Sequence, residues 1–246
     1  MSYLYHLLIS QPLYNGLILL MRLLPFFDAG VVVIIFTVIV KIILLPLSIK
    51  ASKTQIKMNS VQKDLNAIKE KYKDSKEEQS KKTLEYYKEH NINPFAGFFI
   101  LLIQLPIIIG LYRIFLKSGL PQINTSFLYS FVSAPLVINM NFLNLINISQ
   151  KSLVLAVIAG ITTYFQISLA NKSQESSSTS GQSNIQADFA RAMSINMKYF
   201  FPVLVVFISW SISAALSLYW ITNNLFAIGQ EIYIKNKYHK KPPIVI

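Results

Sequence analysis

Residues 29–49 read AGVVVIIFTVIVKIILLPLSI. As a helix at 1.5 Å per residue this stretch is about 32 Å long, close to the thickness of a bilayer's hydrocarbon core. Lys41 is its single charge. The rest of the chain has the same character. Of 246 residues, 53% are hydrophobic and 14% charged, with a mean hydropathy of +0.45. A soluble domain carries about 25% charged residues, so an ordinary water-soluble protein is excluded. There are 23 Lys and Arg against 11 Asp and Glu, a net charge of +12. The chain has no cysteine, which removes disulfides, thiolate metal sites, cysteine nucleophiles and a lipidated N-terminal cysteine. His6, His90 and His239 lie far apart, and none stands beside an acidic pair at ligand spacing. Neither a metal nor a cofactor is expected. The composition is that of a polytopic, all-α membrane protein.

Beyond 29–49, further apolar stretches predict spans at 94–117 and 152–170. The block Tyr199–Ile234 would be about 54 Å long as one helix, too long for a single crossing. Cut near Trp210–Ala214, it gives spans at 197–212 and 214–234. Loop charge supports five crossings. Eleven lysines fall between Lys50 and Asn93, against one between Gly119 and Lys151; lysine-rich loops stay cytoplasmic. Lys198 and the 235–246 tail are both basic, so the last block crosses twice. The expected topology is N-terminus out and C-terminus cytoplasmic, with an extracytoplasmic loop at 118–151. No Arg-rich transit peptide is seen, which points to a bacterial plasma (inner) membrane rather than an organelle. In residues 1–28, Leu13, Leu17, Leu20 and Leu24 recur at helical spacing. They predict an amphipathic helix over Gln11–Leu24 at the outer interface, with Arg22 among headgroups. An additional span is the alternative there.

The only sizeable polar element is 50–93. Met58, Val61, Leu65, Ile68 and Tyr72 form a heptad seam. Ser75-Lys76-Glu77-Glu78 then has the form of a capping box that starts a second helix, with Leu84 and Tyr87 as its apolar face. A cytoplasmic helical hairpin is predicted, either a merely solvated pair or a docking arm for proteins or anionic headgroups. Residues 171–196 begin with the Ser-rich NKSQESSSTSGQSN and are expected to be a flexible cytoplasmic loop.

Lys41 is the most informative residue. A charge at that depth costs about 2.5–3.5 kcal/mol even on the lenient insertion scale. No Asp or Glu lies within a predicted span, Glu231 standing only at the inner edge. Two readings stand: solvation in a water-filled cavity, or a stem that snorkels to the cytoplasmic headgroups. Other polar groups recur in the spans. Gln104 and Tyr112 lie in the second, Thr162, Thr163, Tyr164 and Gln166 in the third, and Tyr219, Trp220, Thr222, Asn223 and Asn224 in the fifth. Pro46, Pro106 and Pro202 interrupt three of the helices. These features suggest a bundle with a wet interior surface.

Five stretches in order carry a resemblance. They are Val40-Lys41-Ile42-Ile43-Leu44-Leu45-Pro46-Leu47; Asn93-Pro94-Phe95 with Gln104-Leu105-Pro106-Ile107; Thr162-Thr163-Tyr164-Phe165-Gln166; Met197-Lys198-Tyr199-Phe200-Phe201-Pro202; and Leu218-Tyr219-Trp220-Ile221-Thr222-Asn223-Asn224-Leu225. With a coiled hairpin after the first span, the chain resembles the YidC/Oxa1/Alb3 family of membrane protein insertases over nearly its full length. The resemblance implies five transmembrane helices around a hydrophilic groove open to cytoplasm and lipid. Lys41 would supply the groove's positive charge, with Gln166 and Trp220 lining it and Gln104 and Asn223 joining them. Leu105, Ile108, Leu111 and Tyr219 would form an apolar contact line for a passing segment. Nascent membrane proteins are the implied substrates, with the Sec translocon, ribosomes and anionic lipid headgroups as further partners. Three departures are noted. Lysine replaces the arginine usual at position 41, no large extracytoplasmic domain is expected before the first span, and Ser211-Ile212-Ser213 lacks the family's proline.

An insertase of this kind is not an enzyme, and no G-x-G-x-x-G or Walker pattern occurs. A small secondary transporter or channel is the alternative, against which stands the absence of intramembrane acids. An intramembrane hydrolase would need a nucleophile beside a base, which the three histidines do not supply.

Overall fold

The computed structural model describes residues 5–93, 107–110, 112–114, 120, 122–175 and 185–238. The protein is mostly helical. A π-helical turn, His6–Ser10, leads into α1 (Gln11–Leu23), followed by α2 (Ala29–Ser60), α3 (Gln62–Lys71) and α4 (Lys76–Glu89). After a short 3-10 turn at Thr125–Phe127 come two paired antiparallel strands, β1 (Asn141–Phe142) and β2 (Ile146–Asn147). The chain ends in α5 (Leu153–Glu175), α6 (Ile185–Ser211) and α7 (Ala214–Tyr238). Among the described residues, Ala29–Met58 and Leu153–Ala170 are long and apolar enough to cross a membrane, and Lys198–Ser211 is a shorter apolar helix.

Helix α2 departs from the expected boundary. It does not stop at 49 but runs through Pro46 to Ser60, because Lys50, Ala51, Lys53 and Lys57 favour helix as well as any residues do. The break comes at Val61, at φ −95° and ψ 7°. Helices α3 and α4 then meet side by side. Leu65 is buried between them, Gln79 Nε2 donates to Lys69 O at 2.7 Å, and Tyr86 Oη donates to Asp64 Oδ2 at 2.6 Å. Ser75 Oγ accepts the Glu78 N–H at 3.4 Å, capping α4. Gln79 and Tyr86 share one stripe of α4, and Leu84 lies about 140° around from Gln79. Leu84 is accordingly 56% exposed, so it does not form the inward face expected of it.

A second departure concerns 171–196. Helix α5 continues to Glu175 and α6 begins at Ile185, so residues 185–196 are helical rather than a loop. Apolar Ile185, Phe189, Ala192 and Met193 recur there at helical spacing.

Helix α1 buries Tyr14, Leu17, Ile18 and Met21. Of the expected stripe, Leu17 is fully buried and Leu13, Leu20 and Leu24 pack at the edge of the core. The helix lies against α2, where a Cβ on Gly16 would stand 3.0 Å from the Phe36 ring. It also touches the second apolar stretch: Leu13, Ile9 and the Tyr5 hydroxyl crowd Gly110, and the Arg113 guanidinium lies 5.0 Å from the Tyr5 ring centre.

Residues 122–150 tie these helices together at one end. Asn15 Nδ2 donates to Phe127 O at 2.9 Å, Asn15 Oδ1 accepts the Tyr129 N–H at 2.7 Å, and Tyr14 Oη accepts the Asn124 N–H at 2.8 Å. The first N–H groups of a helix have no partner inside it, and here the loop supplies partners. Ala29 N donates to Asn139 O at 2.8 Å, Ala215 N to Ile148 O at 3.0 Å and Ala214 N to Gln150 O at 2.8 Å. Asp28 serves both sides, accepting Val31 N–H at 2.9 Å and Leu143 N–H at 3.1 Å.

Candidate functional site

The polar groups of interest sit on α2, α5 and α7. Ile34, Lys41 and Ser48 fall seven residues apart, about two turns each, and so share one face of α2. Ser48 Oγ accepts from Gln230 Nε2 at 2.7 Å, which turns that face toward α7. Lys41 is half-buried on it, while its neighbours Ile42 and Ile43 are 54% and 69% exposed. Among the described residues, no carboxylate acts on its ammonium. Glu231, near the C-terminal end of α7, is engaged elsewhere. Lys235 Nζ lies 3.4 Å from Glu231 Oε1 and donates to Leu169 O at 2.6 Å.

Between α5 and α7 the centre is Asn224. Its Nδ2 donates to Thr163 Oγ1 at 2.8 Å and to Thr162 Oγ1 at 3.2 Å. Thr163 in turn donates to Ala159 O at 2.7 Å. Asn224 and Thr163 are both buried, at 2% and 1% exposure. Burying an amide without partners is costly, and this network satisfies it. Asn224 was visible in the sequence only as one of a polar group. Its neighbour Asn223, the residue expected in the groove, is half-buried and 3.4 Å from Asn224 Oδ1 through its Nδ2. A step of one residue turns the side chain about 100°, and periodicity alone does not say which asparagine faces α5.

Gln166 lies one turn along α5 from Thr162 and Thr163 and is half-buried. Tyr219 and Trp220 belong to the packed core, at 3% and 7% exposure. Both rings are therefore closed off from the surface in this arrangement. Ile108 is half-buried and packs at the edge of the same core. Gln104, Leu105 and Leu111 lie outside the described residues. Among the described residues there is no cluster of three His, Cys, Asp or Glu able to hold a metal.

Outside the apolar helices, Tyr86 carries the largest electrostatic perturbation. Partial burial, the hydrogen bond to Asp64 and that carboxylate's charge push its phenol up to about 12. The chemistry available along the apolar stretches of α2, α5 and α7 is thus solvation and hydrogen bonding, with Lys41 as their one lysine.

The sequence profile of the family described as 60Kd inner membrane protein matches residues 22–241. The membrane protein insertase YidC of Clostridium tetani is 34% identical over 211 residues, covering 86% of this chain and 83% of that one. YidC of Fusobacterium nucleatum is 33% identical, covering 85% and 86% respectively. The membrane protein insertase MisCA of Bacillus subtilis is 30% identical, covering 87% and 73%. With the profile spanning most of the sequence and these relatives aligned over most of theirs, the chain belongs to the YidC/MisCA family and is a membrane protein insertase.

Proposed function

We propose that insertion proceeds along a hydrophilic surface on α2, α5 and α7, with Lys41 as its charge. The supporting observation is a half-buried lysine midway along an apolar helix, with no carboxylate acting on it among the described residues. An acidic tail entering hydrocarbon loses its hydration, a penalty of several kcal/mol per charge. Water and a cation part-way across lower that barrier. The apolar segment behind the tail gains transfer free energy as it moves into lipid. The mechanism is non-enzymatic, because no covalent bond changes.

In this reading Gln166, Trp220, Gln104 and Asn223 line the polar side, while Leu105, Ile108, Leu111 and Tyr219 form the apolar contact line. The five spans run with the N-terminus outside and the C-terminus in the cytoplasm of a bacterial plasma membrane. The α3–α4 pair and the basic tail face the Sec translocon, ribosomes or anionic headgroups. Lysine keeps the charge of an arginine but lacks its planar fork. Lys41→Ala therefore impairs insertion of acidic-tailed substrates, and Lys41→Arg preserves it. Protease protection in proteoliposomes reads the difference, and equal insertion by wild type and Lys41→Ala refutes the role of the charge.

A further inference from the structure

A cavity of about 420 Å³ lies between α2, α5 and α7. Ile34 and Val38, Leu155 and Ile158, and Leu225 form its walls, and Phe142 closes its top. Among the described residues lining it, Thr222 is the one polar residue, and its hydroxyl is spent on Leu218 O at 2.8 Å. The interior therefore offers nothing to water. On α2 the wall residue Ile34 lies within about 20° of Lys41, and on α5 Leu155 lies within about 20° of Gln166, so this cavity continues the proposed insertion surface toward the loop-bound end and the inference rests on that reading.

Its depth follows from the helix starts. Ile34 and Val38 stand five and nine residues beyond Ala29, about 8 and 14 Å along the axis. Half a hydrocarbon core is about 15 Å. The cavity therefore lies within the leaflet at the loop-bound end of the bundle. It opens sideways, because Ile158 and Leu225 at its edge are 38% and 55% exposed. From there the wall runs on into exposed Val154, Val157 and Ile161 of α5. The top is rigid: the Phe142 ring sits where any side chain on Gly30 would stand, and Ala29 N–H is bonded to Asn139 O just before β1.

The size discriminates between occupants. An apolar hole of about 150 Å³ already accepts benzene, so this one has room for a bent alkyl chain. A membrane-crossing helix about 10 Å wide and 30 Å long needs on the order of 2,000 Å³, far more than is present. The surrounding medium is itself made of acyl chains, and an unfilled apolar hole forfeits dispersion contacts on every wall. We propose that this cavity is a resident site for one acyl chain of a membrane phospholipid, which wedges α2 against α5 and α7.

The test reconstitutes the full-length protein with a phosphatidylethanolamine carrying a diazirine midway along one acyl chain. Unlabelled vesicles are then added in excess before irradiation, and adducts are mapped by mass spectrometry. A resident chain survives the chase. Adducts on Ile34 and Ile158 are expected to exceed those on the openly lipid-facing Ile42 and Ile43 several-fold, and Val38→Phe, which fills the cavity, removes the excess. Equal labelling of the two isoleucine pairs in the wild type overturns the proposal without any variant. So does an excess that Val38→Phe leaves unchanged, or preferential labelling of Ile34 and Ile158 by a diazirine-bearing apolar helical peptide instead of the lipid.

Discussion

A Cβ built on Gly30 would stand 2.5 Å from Cδ2 and 2.8 Å from Cβ of Phe142, so the ring occupies the space that any other residue at position 30 needs. The atoms concerned belong to the ring and its own Cβ, which cannot swing aside as the end of a long side chain could.

Gly30→Ala is expected to destabilise the protein by about 1–3 kcal/mol, the usual penalty for forcing atoms into a packed site. Phe142→Ala in the same chain should recover part of that loss, since it vacates the contested volume. Thermal unfolding of the two single variants and the double variant reads the coupling, and purely additive effects would show that the ring yields freely.

Asn15 holds the loop by two opposed bonds, one given to Phe127 O and one taken from Tyr129 N–H. Asn15→Ala leaves both backbone groups short of a partner, at about 1–3 kcal/mol. The Tyr129 amide should then exchange with solvent deuterium about tenfold faster or more. Unchanged protection would mean that other contacts suffice to seat the loop.

Asn224→Leu removes the bonds to Thr162 and Thr163. Interhelical hydrogen bonds in membranes contribute about 0.6–2 kcal/mol, so a drop of that size in unfolding free energy is expected. Thr163→Val should cost little more once Asn224 is gone. A double-mutant cycle with no coupling would place the stabilisation elsewhere.

The Tyr86 phenol, raised from 10.0 to about 12 by partial burial and Asp64, makes the α3–α4 contact sensitive to alkali. The folded state favours the protonated phenol, so the contribution is complete below pH 10 and fades as pH rises through the interval from 10 to 12. Absorbance at the phenolate band, taken as the difference between wild type and Tyr86→Phe, should place the titration near the top of that interval. Asp64→Asn should move it down. A midpoint at the ordinary tyrosine value would rule out the contact in solution.

Much of the helical framework could be read from the pattern of residues. The apolar run beginning at Ala29 and the serine cap of α4 are local signals, and each lies where its chemistry puts it. What local reasoning misplaced depends on partners distant in sequence. Leu84 faces outward because Gln79 and Tyr86 find Lys69 and Asp64. Asn224 rather than Asn223 turns to Thr163, 61 positions earlier, and nothing within either helix chooses between them. The ordered loop at 122–150 was harder still. Its carbonyls cap helix starts more than 60 residues away on either side, as with Asn139 on Ala29 and Gln150 on Ala214, and no periodicity reports such a bond.

Those capping bonds also decide how the molecule can deform. At one rim α2 and α7 are knotted to a shared strand of backbone through Asn139, Ile148 and Gln150. Toward the opposite rim they are joined by a side-chain pair, Gln230 and Ser48, which can be undone by rotating two bonds. Widening of the bundle must then pivot like a pair of tweezers at its knotted end, with the tips moving furthest.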